Sequence, residues 1–412
     1  MDRNIASPIE NTRTEPMPAH TATSGTSAYR WFALFIVWFA FLLGYVGRAA
    51  WSTVAAPVGS SLGIDVALLG AFLTAFYAGY VFANVIAGVL TDLFGARAMM
   101  TFALLPLGLL TAYFGETRSL SEGIAIQVAM GIAAGADYAA GVKIISAWFT
   151  HDRGRAMGIY TTATSLAVVL ANATVPAFSA QYGWSNAFRI IGAVTFVWGI
   201  VALIWLRNGT VAKVAHTGED WREMFGLLRN RNLIALAIAG CAGLWGTIGF
   251  TAWGNALMTK QHGVSPVVAG SIIALFGVGA LLSKPILGWL SDIPQVSRKY
   301  VSVGCFIAFA GTLTIYGQCT TIQQFYLVAP FLGAFSYGYL PVLIAQITDA
   351  SGKKLAGASA GWTNAVWQSG SAMSPLIVGQ VYGATHSFNL AFLTLAAGPI
   401  VAIVAMLFVT KK

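Results

Sequence analysis

Apolar residues run through this chain in long uninterrupted blocks, never in the strict alternation that would mark a half-buried strand. Twelve such blocks occur, at 31–56, 68–92, 98–115, 122–148, 155–182, 187–207, 232–258, 266–290, 300–317, 323–348, 355–383 and 388–409. Most are close to the roughly 20 residues that a helix needs to cross a hydrocarbon core about 30 Å thick. A backbone in lipid must satisfy its own hydrogen bonds, and helices do so within one segment. The pattern therefore predicts an all-α membrane protein with twelve transmembrane helices.

Composition agrees: 57% of the residues are hydrophobic, 9% are charged and the mean hydropathy is +0.72, whereas a soluble chain carries about a quarter charged residues. Residues 1–30, rich in Thr, Ser, Pro and Ala, hold too little apolar surface to fold and read as a disordered tail. The apolar run from Trp31 is far longer than the core of a secretory signal. It reads as the first span.

Lys and Arg fix the expected orientation. With the N-terminus inside, Arg3, Arg13, Arg30, Arg97, Arg153, Arg155, Arg207, Lys213, Arg222, Arg229, Arg231, Arg298, Lys299, Lys353, Lys354, Lys411 and Lys412 fall on the cytoplasmic side, against Arg118 and Lys260 in the outer loops. Both termini are thus expected in the cytoplasm. The net charge of +9 then reads as anchoring to anionic membrane lipid, with no nucleic-acid partner. Cys241, Cys305 and Cys319 lack C-x-x-C spacing and are read as packing residues.

The chain also repeats itself. Gly88-Val-Leu-Thr-Asp92 recurs as Gly288-Trp-Leu-Ser-Asp292; Arg153-Gly-Arg155-Ala-Met-Gly158 recurs as Lys353-Lys354-Leu-Ala-Gly357; Pro176 and Tyr182-Gly183 recur as Pro375 and Tyr382-Gly383. Matches in register at a nearly constant offset indicate two homologous units. The expected organisation is a six-helix bundle at 31–207, a polar cytoplasmic linker at 208–231 and a second six-helix bundle at 232–409.

Two six-helix halves, a long central loop and G-x-L-x-D-x-x-G-x-R after the second span (Gly88, Leu90, Asp92, Gly95, Arg97) resemble the major facilitator superfamily. That resemblance, over about residues 31–409, implies two bundles rocking about a central site. It gives Asp92, Arg97, Arg153, Arg155 and Asp292 gating or structural roles, with Asp92 capping a helix or pairing with one of those arginines. A finer match lies in Tyr138-Ala-Ala-Gly-Val-Lys143-Ile-Ile-Ser-Ala-Trp148-Phe149 with the following Arg153 motif, and in Arg48-Ala-Ala-Trp-Ser-Thr-Val-Ala-Ala-Pro57. Both are similar to bacterial organic anion:cation symporters of the hexuronate and galactonate type. Two positions depart from that family: Gly47 stands where it has an aspartate in the first span, and Ala134 where it has a glutamate in the fourth.

Four ionisable residues inside the apolar blocks carry the candidate chemistry: Arg48, Asp137, Lys143 and Lys284. A charge at bilayer depth costs about 2.5–3.5 kcal/mol on insertion scales and normally faces a cavity or a partner. Arg48 cannot shed its proton and suits a carboxylate substrate; a structural ion pair with Asp137 is the alternative. Lys284, in the other half and beside Pro285, is read as a second anion contact, with snorkelling as the alternative. Asp137 is the only carboxylate inside a span away from its ends. Because burial favours the protonated form of a carboxyl and nearby cations the ionised one, it is the candidate proton carrier; permanent pairing with Arg48 or Lys143 is the alternative. Lys143 itself is read as structural or gating. Asn364 and Gln368, at i and i+4, and the aromatics Tyr45 and Tyr77 complete the expected substrate-binding set.

Gly357-Ala-Ser359-Ala-Gly361 matches a hydrolase elbow, but it opens a membrane helix, and all five histidines fall in tails or loops. No phosphate-binding G-x-x-x-x-G-K-[ST] exists either. No enzyme, metal or cofactor is expected. The interior instead holds three cations against one acid, an excess that an anionic cargo would balance. The expectation is a monomeric secondary transporter of a small organic anion in a bacterial inner membrane, coupled to protons. Exchange of one anion for another is the alternative, since it requires no titrating carboxylate.

Overall fold

The computed structural model describes residues 24–149, 153–209, 229–293 and 295–410. All regular structure among them is helical: α1 (Ser24–Leu62), a 3-10 turn (Val66–Leu68), α2 (Leu69–Phe94), α3 (Ala96–Phe114), α4 (Leu120–Trp148), α5 (Arg153–Tyr182), α6 (Trp184–Trp205), α7 (Arg231–His262), α8 (Pro266–Asp292), α9 (Arg298–Gln318), α10 (Ile322–Thr385) and α11 (Phe388–Leu407). Eleven stretches of the described residues are long and apolar enough to cross a bilayer. Most of the expected linker, and the tail up to residue 23, lie outside the described residues.

The tenth and eleventh apolar blocks form one helix, α10, of 64 residues. Straight, it would be about 96 Å long, roughly three times the hydrocarbon core. It reverses instead. Along α7, Thr247 donates to the Ser336 carbonyl and Asn230 to that of Ala350, so the first pass of α10 approaches the start of α7. Trp367 then donates to the Leu236 carbonyl and Trp253 donates to the Pro375 carbonyl, so the second pass retreats along the same helix. The twelve expected passes are therefore made by eleven helices.

Tight reversals elsewhere need a left-handed backbone, which glycine adopts freely. Gly95 (φ 87°) alone separates α2 from α3, and Gly183 (φ 84°) alone separates α5 from α6. Next to Gly95, the Arg97 backbone N–H donates to Asn208 Oδ1, and its guanidinium donates to the Leu203 carbonyl near the end of α6. This satisfies a helix-terminal carbonyl. The side chains of Asp92, Arg153, Arg155 and Asp292, which belong to the same expected gating set, lie outside the described residues.

The end of the molecule carrying Arg97, Arg207, Arg298 and Lys299 is the basic end. There Arg298 pairs with Asp349 at 2.5 Å, and Lys299 donates to the Leu407 and Val409 carbonyls at the end of α11. At the opposite end Arg189 pairs with Glu116. Arg189 lies within the sixth apolar block and is a third basic residue at that end, beyond Arg118 and Lys260; its carboxylate partner explains its presence there.

The two halves meet most closely toward the opposite end. Gly70 rests on the Pro375 carbonyl, Gly270 on that of Asn172 and Gly379 on that of Ala67, each without room for a Cβ. Small residues of this kind let membrane helices touch backbone to backbone. Beside them, buried Asn255 of α7 donates to Asn172 Oδ1 of α5 (2.7 Å) and to Ser52 Oγ of α1 (3.3 Å). This seam is polar but uncharged.

Candidate functional site

Arg48 lies about 21 Å along the helix axis from the end of α1 at Leu62, deeper than the apolar block ending at 56 implies. It is 7% exposed. Aromatic rings of two helices surround its guanidinium: Tyr45 at 4.6 Å, Phe76 at 4.9 Å and Tyr80 at 4.3 Å. Phe76 and Tyr80, at i and i+4 on α2, share one helical face. Each such contact contributes about 0.5–2 kcal/mol, but rings accept no directed N–H bonds in the guanidinium plane. Nε and Nη1 of Arg48 are buried without a hydrogen-bond partner. An unsatisfied buried donor costs about 1–3 kcal/mol, so the geometry favours any acceptor that arrives.

A small cavity adjoins this group, lined from the first half by Tyr45, Arg48, Ala49, Leu73, Tyr77 and Val168, and from the second by Ile248, Thr251 and Tyr337. Its volume of ≈ 20 Å³ holds about one water, so a larger ligand requires the halves to separate. Lys284 approaches from the second half. Its ammonium stands 4.9 Å from the Tyr337 ring centre and donates to Thr164 Oγ1 of α5 at 2.9 Å. It thereby bridges the halves with no anion present. The lysine is half-buried and points into the protein, so the snorkelling alternative does not describe it.

Asp137 is 1% exposed, and neither of its oxygens has a hydrogen-bond partner. It makes no ion pair with Arg48 or Lys143, so the expected alternative of a permanent partner is not realised. Arg48 remains the cation that acts on it electrostatically. Lys143 instead donates to the Thr91 carbonyl at 2.8 Å, tying α4 to α2.

The structure thus gathers Arg48, Tyr45 and Tyr77 around one cavity, with Lys284 one ring away and Asp137 nearby. Asn364 and Gln368 are half-buried on the second pass of α10 and do not line that cavity. Two contributors were not singled out from the sequence. Thr164 belongs to the run Thr161-Thr162-Ala-Thr164-Ser165, an unusually polar stretch for mid-span that could have signalled it. Thr251 has no such signal. Among the described residues no cluster of His, Cys, Asp and Glu could hold a metal ion.

Comparison with known proteins places this geometry. The model of the Major Facilitator Superfamily matches residues 37–375 and 249–412. A probable galactarate/D-glucarate transporter of Bacillus subtilis is 24% identical, over 94% of this chain and 93% of its own. A probable L-galactonate transporter of Escherichia coli is also 24% identical, over 92% and 89%. Among solved structures, a bacterial homolog of the human lysosomal transporter Spinster, inward-facing and occupied, superimposes with a TM-score of 0.73 at 15% identity, covering 92% of this chain and 94% of that one. A fold of two helical halves with an arginine buried at their seam, matched along nearly its whole length, makes this chain a transport protein of the Major Facilitator Superfamily.

Proposed function

We propose that the protein moves a small organic anion, a carboxylate, across the membrane by alternating access, in symport with protons. The observation that carries this reading is Arg48: a permanently charged group, nine-tenths buried at the seam, with two N–H donors unmatched. A carboxylate supplies two coplanar acceptors for that fork. The names of the galactarate and galactonate relatives support the same substrate class.

Binding starts when the anion meets Arg48 and draws Lys284 from Thr164 to its other side. Both halves then hold one ligand, and the positive charges that repel one another are neutralised. Tyr45, Tyr77 and Tyr337 offer hydroxyls to the hydroxyls of such an acid. Asp137 is the proton carrier in this scheme. Burial without a hydrogen bond makes its anion costly and its neutral acid cheap, so it loads a proton in one state of the cycle and loses it in another. In the proposed orientation the basic end faces a bacterial cytoplasm, the seam closes on the outside, and a monomer suffices.

Exchange of anions is the second reading, favoured by Gly47 and Ala134 standing where the resembling family has acids. Purified protein is first screened by thermal stabilisation against sugar acids, aromatic acids and mono- and dicarboxylates, then assayed in liposomes with imposed pH gradients. Symport predicts uptake driven by an acidic exterior. Asp137→Asn should end accumulation against a gradient while sparing exchange. Uptake indifferent to the gradient but dependent on internal anion selects the exchanger instead.

A further inference from the structure

A second orphaned polar atom lies one helical turn from Asp137. Tyr160 of α5 is fully buried and its hydroxyl has no hydrogen-bond partner. That hydroxyl rests against Gly141, where no Cβ would fit. Gly141 follows Asp137 by four residues, so the two positions share one face of α4 about 6 Å apart along the axis. On the other side of the carboxyl, Asp137 Oδ2 would lie 3.2 Å from a Cβ at Gly44 of α1. Two glycines on two helices therefore make room for two unsatisfied polar groups, the Tyr160 hydroxyl at Gly141 and the Asp137 carboxyl at Gly44, which act on one another electrostatically. The Tyr160 ring is held in place by stacking on Phe41 at 4.7 Å and on Tyr138 at 6.3 Å.

The order along the helices adds a direction. From the cavity toward the basic end come Arg48, then Asp137 at the level of Gly44, then the Tyr160 hydroxyl at Gly141. Each buried orphan costs about 1–3 kcal/mol, and the cost disappears if the two are joined. A single water suffices, since it needs two to four polar partners, and Oδ1, Oδ2 and Tyr160 Oη supply three.

We propose that Tyr160 is a positioning residue for proton release. Resting on the reading of Asp137 as the proton carrier, its hydroxyl donates through one water to the ionised carboxylate, on the side facing the basic end. The other titratable or charged groups acting on this pair are Arg48 of α1, Tyr80 of α2 and Tyr138 of α4, while Leu107 of α3 packs beside Gly44. Of these, Arg48 stands at the substrate cavity, so its support for the carboxylate is withdrawn when an anion occupies it. Tyr160 provides the support that persists.

The test is an infrared pH titration of the protonated carboxyl band in the purified full-length protein in lipid, which requires no knowledge of the substrate. Asp137→Asn identifies the band by its loss. Tyr160→Phe keeps the stacked ring and removes only the donor to the charged form. The midpoint of the band should therefore move to higher pH, by about one unit. Gly141→Ala, which displaces the hydroxyl, should move it the same way. A midpoint unchanged in Tyr160→Phe overturns the role of Tyr160 while leaving Asp137 as carrier. If Asp137→Asn removes no titrating band, the carrier itself is wrong and both readings fall. Thermal melting of each variant checks the fold: a moved midpoint at unchanged Tm assigns the shift to the lost hydroxyl, whereas a moved midpoint seen only with a lowered Tm, and in Gly141→Ala alone, overturns the role of Tyr160.

Discussion

The two halves of this molecule repeat one another in sequence, yet they treat their buried polar groups oppositely. In the first half Arg48, Asp137 and Tyr160 are buried with atoms that nothing satisfies. In the second, Lys284 is held by Thr164, Gln346 by Ser302, Trp253 and Trp367 by carbonyls, and Thr247 by the Ser336 carbonyl. Its remaining orphans, such as Asn255 Oδ1 and Trp362 Nε1, carry no charge. Unsatisfied buried ions are retained where they act on something that comes and goes. On the proposed reading, the difference places the chemistry in the first half and the packing frame, with one movable cation, in the second.

The largest expected effect comes from Arg48→Ala. Truncating one partner of a buried charged pair costs about 2–5 kcal/mol, so thermal stabilisation by the anion should vanish and uptake should fall at least about thirtyfold. Normal transport by this variant would erase the contrast between the halves. Lys284→Ala should act more weakly, because Thr164 already satisfies the lysine. A loss of about tenfold in affinity, or 1.4 kcal/mol, is expected in a titration of the purified protein. Asn255→Ala breaks the seam rather than the site. It removes two buried hydrogen bonds of about 1 kcal/mol each, and a cysteine placed at Ser52 should become several-fold more reactive to an external thiol reagent. Gly47→Ala is the smallest change. A Cβ there meets nothing within 4 Å, so Tm and uptake should stay as they are.

The lipid-crossing architecture was legible because apolar run length obeys the thickness of the bilayer, and the internal repeat because both halves keep the same glycines and prolines. Arg48, Asp137 and Lys284 stood out because charge in lipid is rare enough to require a reason. What escaped was pairing. Nothing in the sequence tells whether Asp137 meets Arg48, since a helical position four or eight residues away specifies a face but not a distance. The same limit hid Thr164 and Tyr160, whose residue types are common in packed helices and whose meaning depends on which neighbour lacks a side chain. Asn364 and Gln368 share one helical face as expected, but periodicity does not say how far a face lies from a particular cavity. The two passes of α10 were legible as separate apolar blocks, whereas their assignment to one helix was not, because the polar connection between them reads as a loop even though it has no turn-forming Pro or Asn.

The neutral character of the seam around Asn255 has a consequence for its response to salt. Contacts between charges weaken as dissolved ions crowd around them, over a Debye length of about 8 Å at physiological strength; amides and carbonyls pressed against glycine feel almost nothing of this. In dilute and in saline solution alike, this end of the seam should hold with the same firmness.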